Sequence, residues 1–119
     1  MHIHESAENY LEAILALSKK GPVRSIDVAQ YLGFSKPSVS RAMSLLRENG
    51  YVAVDDTGHL VLTDTGREIA SSIYERHTLL TQWLVRLGVP EEIAAEDACK
   101  IEHDLSPETF EAIKRHAEV

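Results

Sequence analysis

Cys99, Glu102 and His103 stand at positions i, i+3 and i+4 of the run Cys99-Lys100-Ile101-Glu102-His103. On a helix this spacing brings a thiol, a carboxylate and an imidazole to one face, with Ile101 turned away. All three side chains are ligands for transition metals. Each alone has a plainer reading: a small buried hydrophobe, a solvated acid, a satisfied histidine. His77 extends the set. It interrupts the apolar stripe Ile69, Ile73, Leu80, Leu84, Leu87. An imidazole there costs free energy unless a metal or a hydrogen-bond partner satisfies it. Glu12, three residues after Asn9, offers further oxygen ligands off the apolar face of the first helix. Its plainer reading is an exposed helix carboxylate.

Periodicity and punctuation predict the elements that must position these groups. Ala7, Tyr10, Leu11, Ile14, Leu15 and Leu17 make residues 5–19 an amphipathic helix, ended by Gly21-Pro22. Ser25 is expected to cap a helix from Ile26 to about Leu32, followed by a Gly33-Phe34 turn. Ser35 caps the next, with Pro37 in its first turn and Gly50 as the stop after Asn49. Tyr51–Val54 and His59–Leu62 read as a hairpin around Asp55-Asp56-Thr57-Gly58. A long helix capped by Thr63 or Asp64 should end near Gly88. A further helix should span about Glu91 to Asp104, and Ser106-Pro107 should open the last.

Helix, glycine turn, helix and hairpin is the order of a winged helix-turn-helix. Ala29 is small where two helices approach, Gly33 suits the tight turn, and Val39 can pack beneath the second helix. That helix opens with Ser35, Lys36, Pro37, Ser38, Ser40 and Arg41. Their hydroxyls and charges suit phosphates and base edges in a major groove, and the helix N-terminus adds phosphate donors. Asp55 and Asp56 at the wing tip oppose phosphate. The plainer reading is a solvated helix on a small α+β domain.

The net charge of the 119 residues is −7, but it is unevenly distributed. Lys19 to Val54 holds six cations against two acids, a balance of +4; Pro90 to Glu111 holds one cation against eight acids, a balance of −7. A basic front and an acidic back indicate two jobs. The expected architecture is mostly α with a small β-hairpin wing: a winged helix-turn-helix over residues 1–70 and a helical module over residues 71–119. No apolar run is long enough for a membrane span. Met1-His2-Ile3-His4-Glu5 lacks signal-peptide features. One cysteine forms no internal disulfide, so a cytoplasmic protein with a reduced thiol is the expectation. Helices use up nearly the whole chain and no general base faces a substrate cleft, so an enzyme is not expected. A metal-independent winged-helix regulator answering to a ligand or partner protein shares the same front half.

Five segments resemble the diphtheria-toxin-repressor superfamily of metal-dependent transcriptional regulators. They are Glu8-Asn9-Tyr10-Leu11-Glu12-Ala13-Ile14, Ser35-Lys36-Pro37-Ser38-Val39-Ser40, Leu62-Thr63-Asp64-Thr65-Gly66, Arg76-His77-Thr78-Leu79-Leu80 and Cys99-Lys100-Ile101-Glu102-His103. The likeness runs from Glu8 to Ala117 and is strongest to the short manganese-transport-regulator branch. It implies a repressor whose winged helix binds a double-stranded DNA operator and whose later helices form a homodimer and hold metal. The implied ligands are Asn9, Glu12, His77, Cys99, Glu102 and His103, binding one or two ions. The manganese branch usually has aspartate where Asn9 stands and glutamate where Cys99 stands. The iron branch usually has methionine and cysteine there, and carries a C-terminal SH3-like domain that is not expected here. A thiolate shifts preference from Mn²⁺ toward Fe²⁺, Co²⁺ and Zn²⁺. The implied ion is therefore Mn²⁺ or Fe²⁺, with Zn²⁺ or Co²⁺ binding in vitro, and the implied targets are metal-homeostasis genes.

Overall fold

The computed structural model describes residues 5–117, so the signal-peptide reading of the N-terminal segment lies largely outside the described residues. The chain forms two compact units, one through Ser71 and one from Ser72.

The first unit contains α1 (Glu5–Ser18), α2 (Ser25–Leu32), α3 (Lys36–Glu48), β1 (Val52–Val54), β2 (Leu60–Leu62) and the opening turns of α4 (Asp64–Arg86). The periodic apolar residues Leu11, Ile14, Val28, Ala29, Val39, Met43 and Leu46 are buried in one core with Leu60 and Leu62 of the hairpin. β1 and β2 pair antiparallel, Val52 opposite Leu62 and Val54 opposite Leu60. The period of two turns Leu60 and Leu62 inward and leaves Val61 exposed. Val23 forms a bridge to Leu60, whose N–H donates to the Val23 carbonyl at 2.7 Å. The wing is thus stitched to the segment that precedes α2.

Local chemistry sets the helix ends, and at α2 the cap departs from expectation. Ser25 is the first residue of α2, and Arg24 is its cap. The Arg24 N–H donates to Asp27 Oδ2 at 2.8 Å, so the acid three residues on satisfies a donor that a serine hydroxyl could not. Gly33 (φ 74°) closes α2 in the left-handed region. Ser35 caps α3: its Oγ accepts from the Ser38 N–H at 3.4 Å and donates to Ser38 Oγ at 2.9 Å. Thr63, rather than Asp64, caps α4. Its Oγ1 accepts from the Gly66 N–H at 3.2 Å and donates to the Gly50 carbonyl at 2.6 Å.

The second unit contains the rest of α4, α5 (Glu91–Ile101) and α6 (Pro107–Ala117). Ile73, Leu80, Ala94, Ala98 and Phe110 are buried here. α4 ends at Arg86, so Leu87 falls in the turn and is 64% exposed rather than continuing the apolar stripe. α5 ends at Ile101, three residues earlier than expected. The Asp104 N–H bonds the Ile101 carbonyl in a tighter i+3 turn. Ser106 caps α6 by accepting from the Thr109 N–H at 3.1 Å, with Pro107 first in the helix.

Two predictions follow from the first unit. A Cβ on Gly66 would overlap the Tyr51 carbonyl oxygen. Alanine gains about 1 kcal/mol of intrinsic helix propensity over glycine, yet Gly66→Ala is expected to destabilise by about 1–3 kcal/mol through the clash. Urea unfolding decides the sign, and a stabilised variant contradicts the packing. The Asp55 carboxylate, held by the His59 N–H, then by the Thr57 hydroxyl and N–H, lies below its ordinary pKa of 3.8. Its contribution to stability is therefore complete above 3.8 and is lost as pH falls through the lowered value. Carboxyl NMR titration should find Asp55 below 3.8, and Thr57→Val should move it upward.

Candidate functional site

Glu102 is the focus of the second unit. It caps α5 with helical dihedrals (φ −61°, ψ −26°), and its side chain is 0% exposed. His77, from the middle of α4, places Nδ1 2.9 Å from Glu102 Oε2. His103, in the turn after α5, places Nε2 3.4 Å from Glu102 Oε1. His103 is buried to 2% side-chain exposure, and His77 is open to 33%.

Arg76 fixes this turn. Its Nη1 donates to the Glu102 carbonyl at 3.0 Å and to the Leu105 carbonyl at 2.7 Å, while the guanidinium lies 5.2 Å from the Phe110 ring centroid. Carbonyls at a helix C-terminus lack intrahelical donors, and a cation is favoured there. The sequence reading gave Arg76 no role, although its place beside His77 on α4 was a usable signal.

The carboxylate is incompletely satisfied. Glu102 Oε1 is buried and makes no hydrogen bond. Burying a charge without full compensation costs several kcal/mol. A divalent cation held by two imidazoles and a carboxylate would supply what this oxygen lacks, and that donor set suits Mn²⁺, Fe²⁺, Co²⁺ and Zn²⁺. The residues present fit a metal ion.

The remaining expected ligands are Cys99, Asn9 and Glu12. Cys99 is exposed in the last turn of α5. Glu102 directly follows the last residue of α5 and keeps helical dihedrals, its N–H bonded to the Ala98 carbonyl at 3.0 Å, while His103 lies in the turn beyond. Asn9 and Glu12 are half-buried on α1 of the first unit.

The first unit carries the second candidate surface. Ser35, Lys36, Pro37, Ser40 and Arg41 are exposed at the start of α3, and Ser38 is half-buried. Ser35 and Ser38 spend part of their hydrogen-bonding capacity on the cap. Lys36 and Arg41 supply this surface's positive charge. Among the described residues, no helix is long and apolar enough to cross a membrane.

Comparison with known proteins agrees with both surfaces. Residues 2–60 match the N-terminal DNA-binding domain of the iron-dependent repressors, and residues 63–118 match their metal-binding and dimerisation domain. The transcriptional regulator MntR of Escherichia coli is 34% identical over 114 residues, covering 95% of this chain and 74% of the relative. An uncharacterised HTH-type transcriptional regulator of Methanocaldococcus jannaschii is 34% identical over 92% of this chain and 90% of its own length. A manganese-dependent transcriptional repressor solved in complex with manganese superposes with a TM-score of 0.84 at 29% identity, over 94% of this chain and 52% of that one. The chain thus spans about half the length of such solved structures. With a winged helix matching the DNA-binding domain and a histidine-flanked carboxylate inside the metal-binding domain, this chain belongs to the iron-dependent repressor family of metal-dependent transcriptional regulators.

Proposed function

We propose that this chain is a repressor of metal-homeostasis genes that binds its operator as a homodimer when loaded with Mn²⁺ or Fe²⁺. Residues 1–70 read DNA, and residues 71–119 bind metal and dimerise. The protein works in the cytoplasm and regulates rather than catalyses. The observation that carries the reading is the buried Glu102 carboxylate, set between two imidazoles with one oxygen unsatisfied.

In this reading His77, Glu102 and His103 form the heart of the ligand set. Cys99, Asn9 and Glu12 complete it, on the strength of the family resemblance of their segments. One or two ions bind per chain. A bound divalent cation supplies charge neutralisation and a fixed coordination geometry. Glu102 contributes an oxygen already stripped of water. His77 would offer a ring nitrogen in its neutral form, the form in which imidazole ligates metals. Ser35, Lys36, Pro37, Ser38, Ser40 and Arg41 engage the operator. Two recognition helices in a dimer must match successive major grooves. Metal and operator affinities are then coupled reciprocally.

Calorimetric titration with Mn²⁺, Fe²⁺, Co²⁺ and Zn²⁺, read beside DNA binding with and without chelator, tests the reading. DNA binding that ignores the chelator would instead support a metal-independent regulator. Glu102→Gln should weaken Mn²⁺ binding by about 100-fold or more, at least the upper range for groups that merely support a ligand. Its metal-free melting temperature should not fall, because the variant removes an incompletely compensated charge. Unchanged metal dependence sinks the assignment. Cys99→Glu should raise Mn²⁺ affinity relative to Zn²⁺, since it exchanges a soft ligand for a hard one. An unchanged ratio removes Cys99 from the set.

A further inference from the structure

The wing tip has a charge problem that a residue outside it addresses. Asp55-Asp56-Thr57-Gly58-His59 contains two acids and no lysine or arginine. Part of the acidity is turned inward: Asp55 Oδ1 accepts from the Thr57 N–H at 2.9 Å, the Thr57 hydroxyl at 2.8 Å and the His59 N–H at 2.9 Å. Asp56 remains exposed. A tip of this composition repels a phosphate backbone.

Arg24 stands beside it. Its Nη2 donates to the Thr57 carbonyl at 3.5 Å, and Nη1 lies 3.6 Å from the position a Cβ on Gly58 would take. The side chain is exposed, and this long bond to a neutral carbonyl uses one of five guanidinium donors. The backbone beneath it is well fixed. The Arg24 N–H is held by Asp27, its carbonyl accepts from the Asp27 N–H at 3.0 Å, and the neighbouring Val23 carbonyl holds Leu60 of the wing. Arg24 is therefore a cation on a rigid mount, within a Debye length of the acids it offsets.

We propose that Arg24 contacts the phosphate backbone of duplex DNA at the wing, supplying from the α2 cap the positive charge that the wing sequence lacks. The proposal rests on the DNA-binding reading above and extends it to a residue outside α3. It gives Arg24 a part in affinity rather than in sequence choice, because phosphate contacts carry no base information.

The test is the salt dependence of binding to a fluorescein-labelled 30-bp duplex of random sequence, using Mn²⁺-loaded full chain. Arg24→Gln keeps a side-chain donor for Thr57 and loses the charge. It should reduce the slope of log K against log salt by about 0.9 per DNA-bound subunit. Arg24→Lys keeps the charge and should retain the wild-type slope. An Arg24→Gln slope equal to wild type overturns the proposal. So does an equal loss in both variants, which would make the guanidinium a wing brace only. Wild-type protein that fails to bind the duplex overturns the DNA reading itself, and this proposal with it.

Discussion

A buried carboxylate that lacks one hydrogen bond is the constraint around which the second unit is arranged. Glu102 is fully enclosed, and only one of its oxygens is hydrogen-bonded. An anion in that position is tolerated when neighbouring groups compensate it. His77 and His103 approach it from two different elements. Arg76 pins the turn that presents it, through two backbone carbonyls rather than through the carboxylate. The guanidinium therefore holds the group in place while leaving Oε1 without a hydrogen bond. A stable fold that bears an unmet electrostatic need is suited to sensing a cation, because binding removes a cost that the metal-free protein carries.

The first unit solves a different problem, that of holding a polar recognition surface rigid on a small core. Its helix ends are tied by short-range bonds: Asp27 to the α2 cap, Ser35 to Ser38, and Thr63 to both Gly66 and Gly50. Gly66 admits the Tyr51 carbonyl against the first turn of α4, where no side chain fits. The bridge between Val23 and Leu60 ties the wing to the start of α2. Exposed Lys36 and Arg41 are thus carried on α3, whose inner residues Val39, Met43 and Leu46 are buried. Positioning polar groups on such an element limits the ordering cost of recognition.

The sequence alone determined the order of elements, the apolar faces, the caps at Ser35 and Ser106, and the family. These follow from local rules: helical and strand periods, the donors left open at helix ends, and the need for glycine at positive φ. It also offered His77, Cys99, Glu102 and His103, with Asn9 and Glu12, as candidate ligands by residue type and resemblance. Tertiary structure decided what depends on distant partners. Asp27 rather than Ser25 satisfies the α2 cap, α5 stops at Ile101, and Leu87 leaves the buried stripe. Spacing could not show that Glu102 and His103 lie past the end of α5. Arg76, 26 residues before Glu102, bonds the turn's carbonyls there. Nor could spacing show that Arg24 reaches a wing tip 33 residues away. The opening cluster of thiol, carboxylate and imidazole therefore became a carboxylate between two imidazoles, with the thiol exposed nearby. Local sequence sets which groups are available, whereas burial and charge compensation arise only when separate elements pack together.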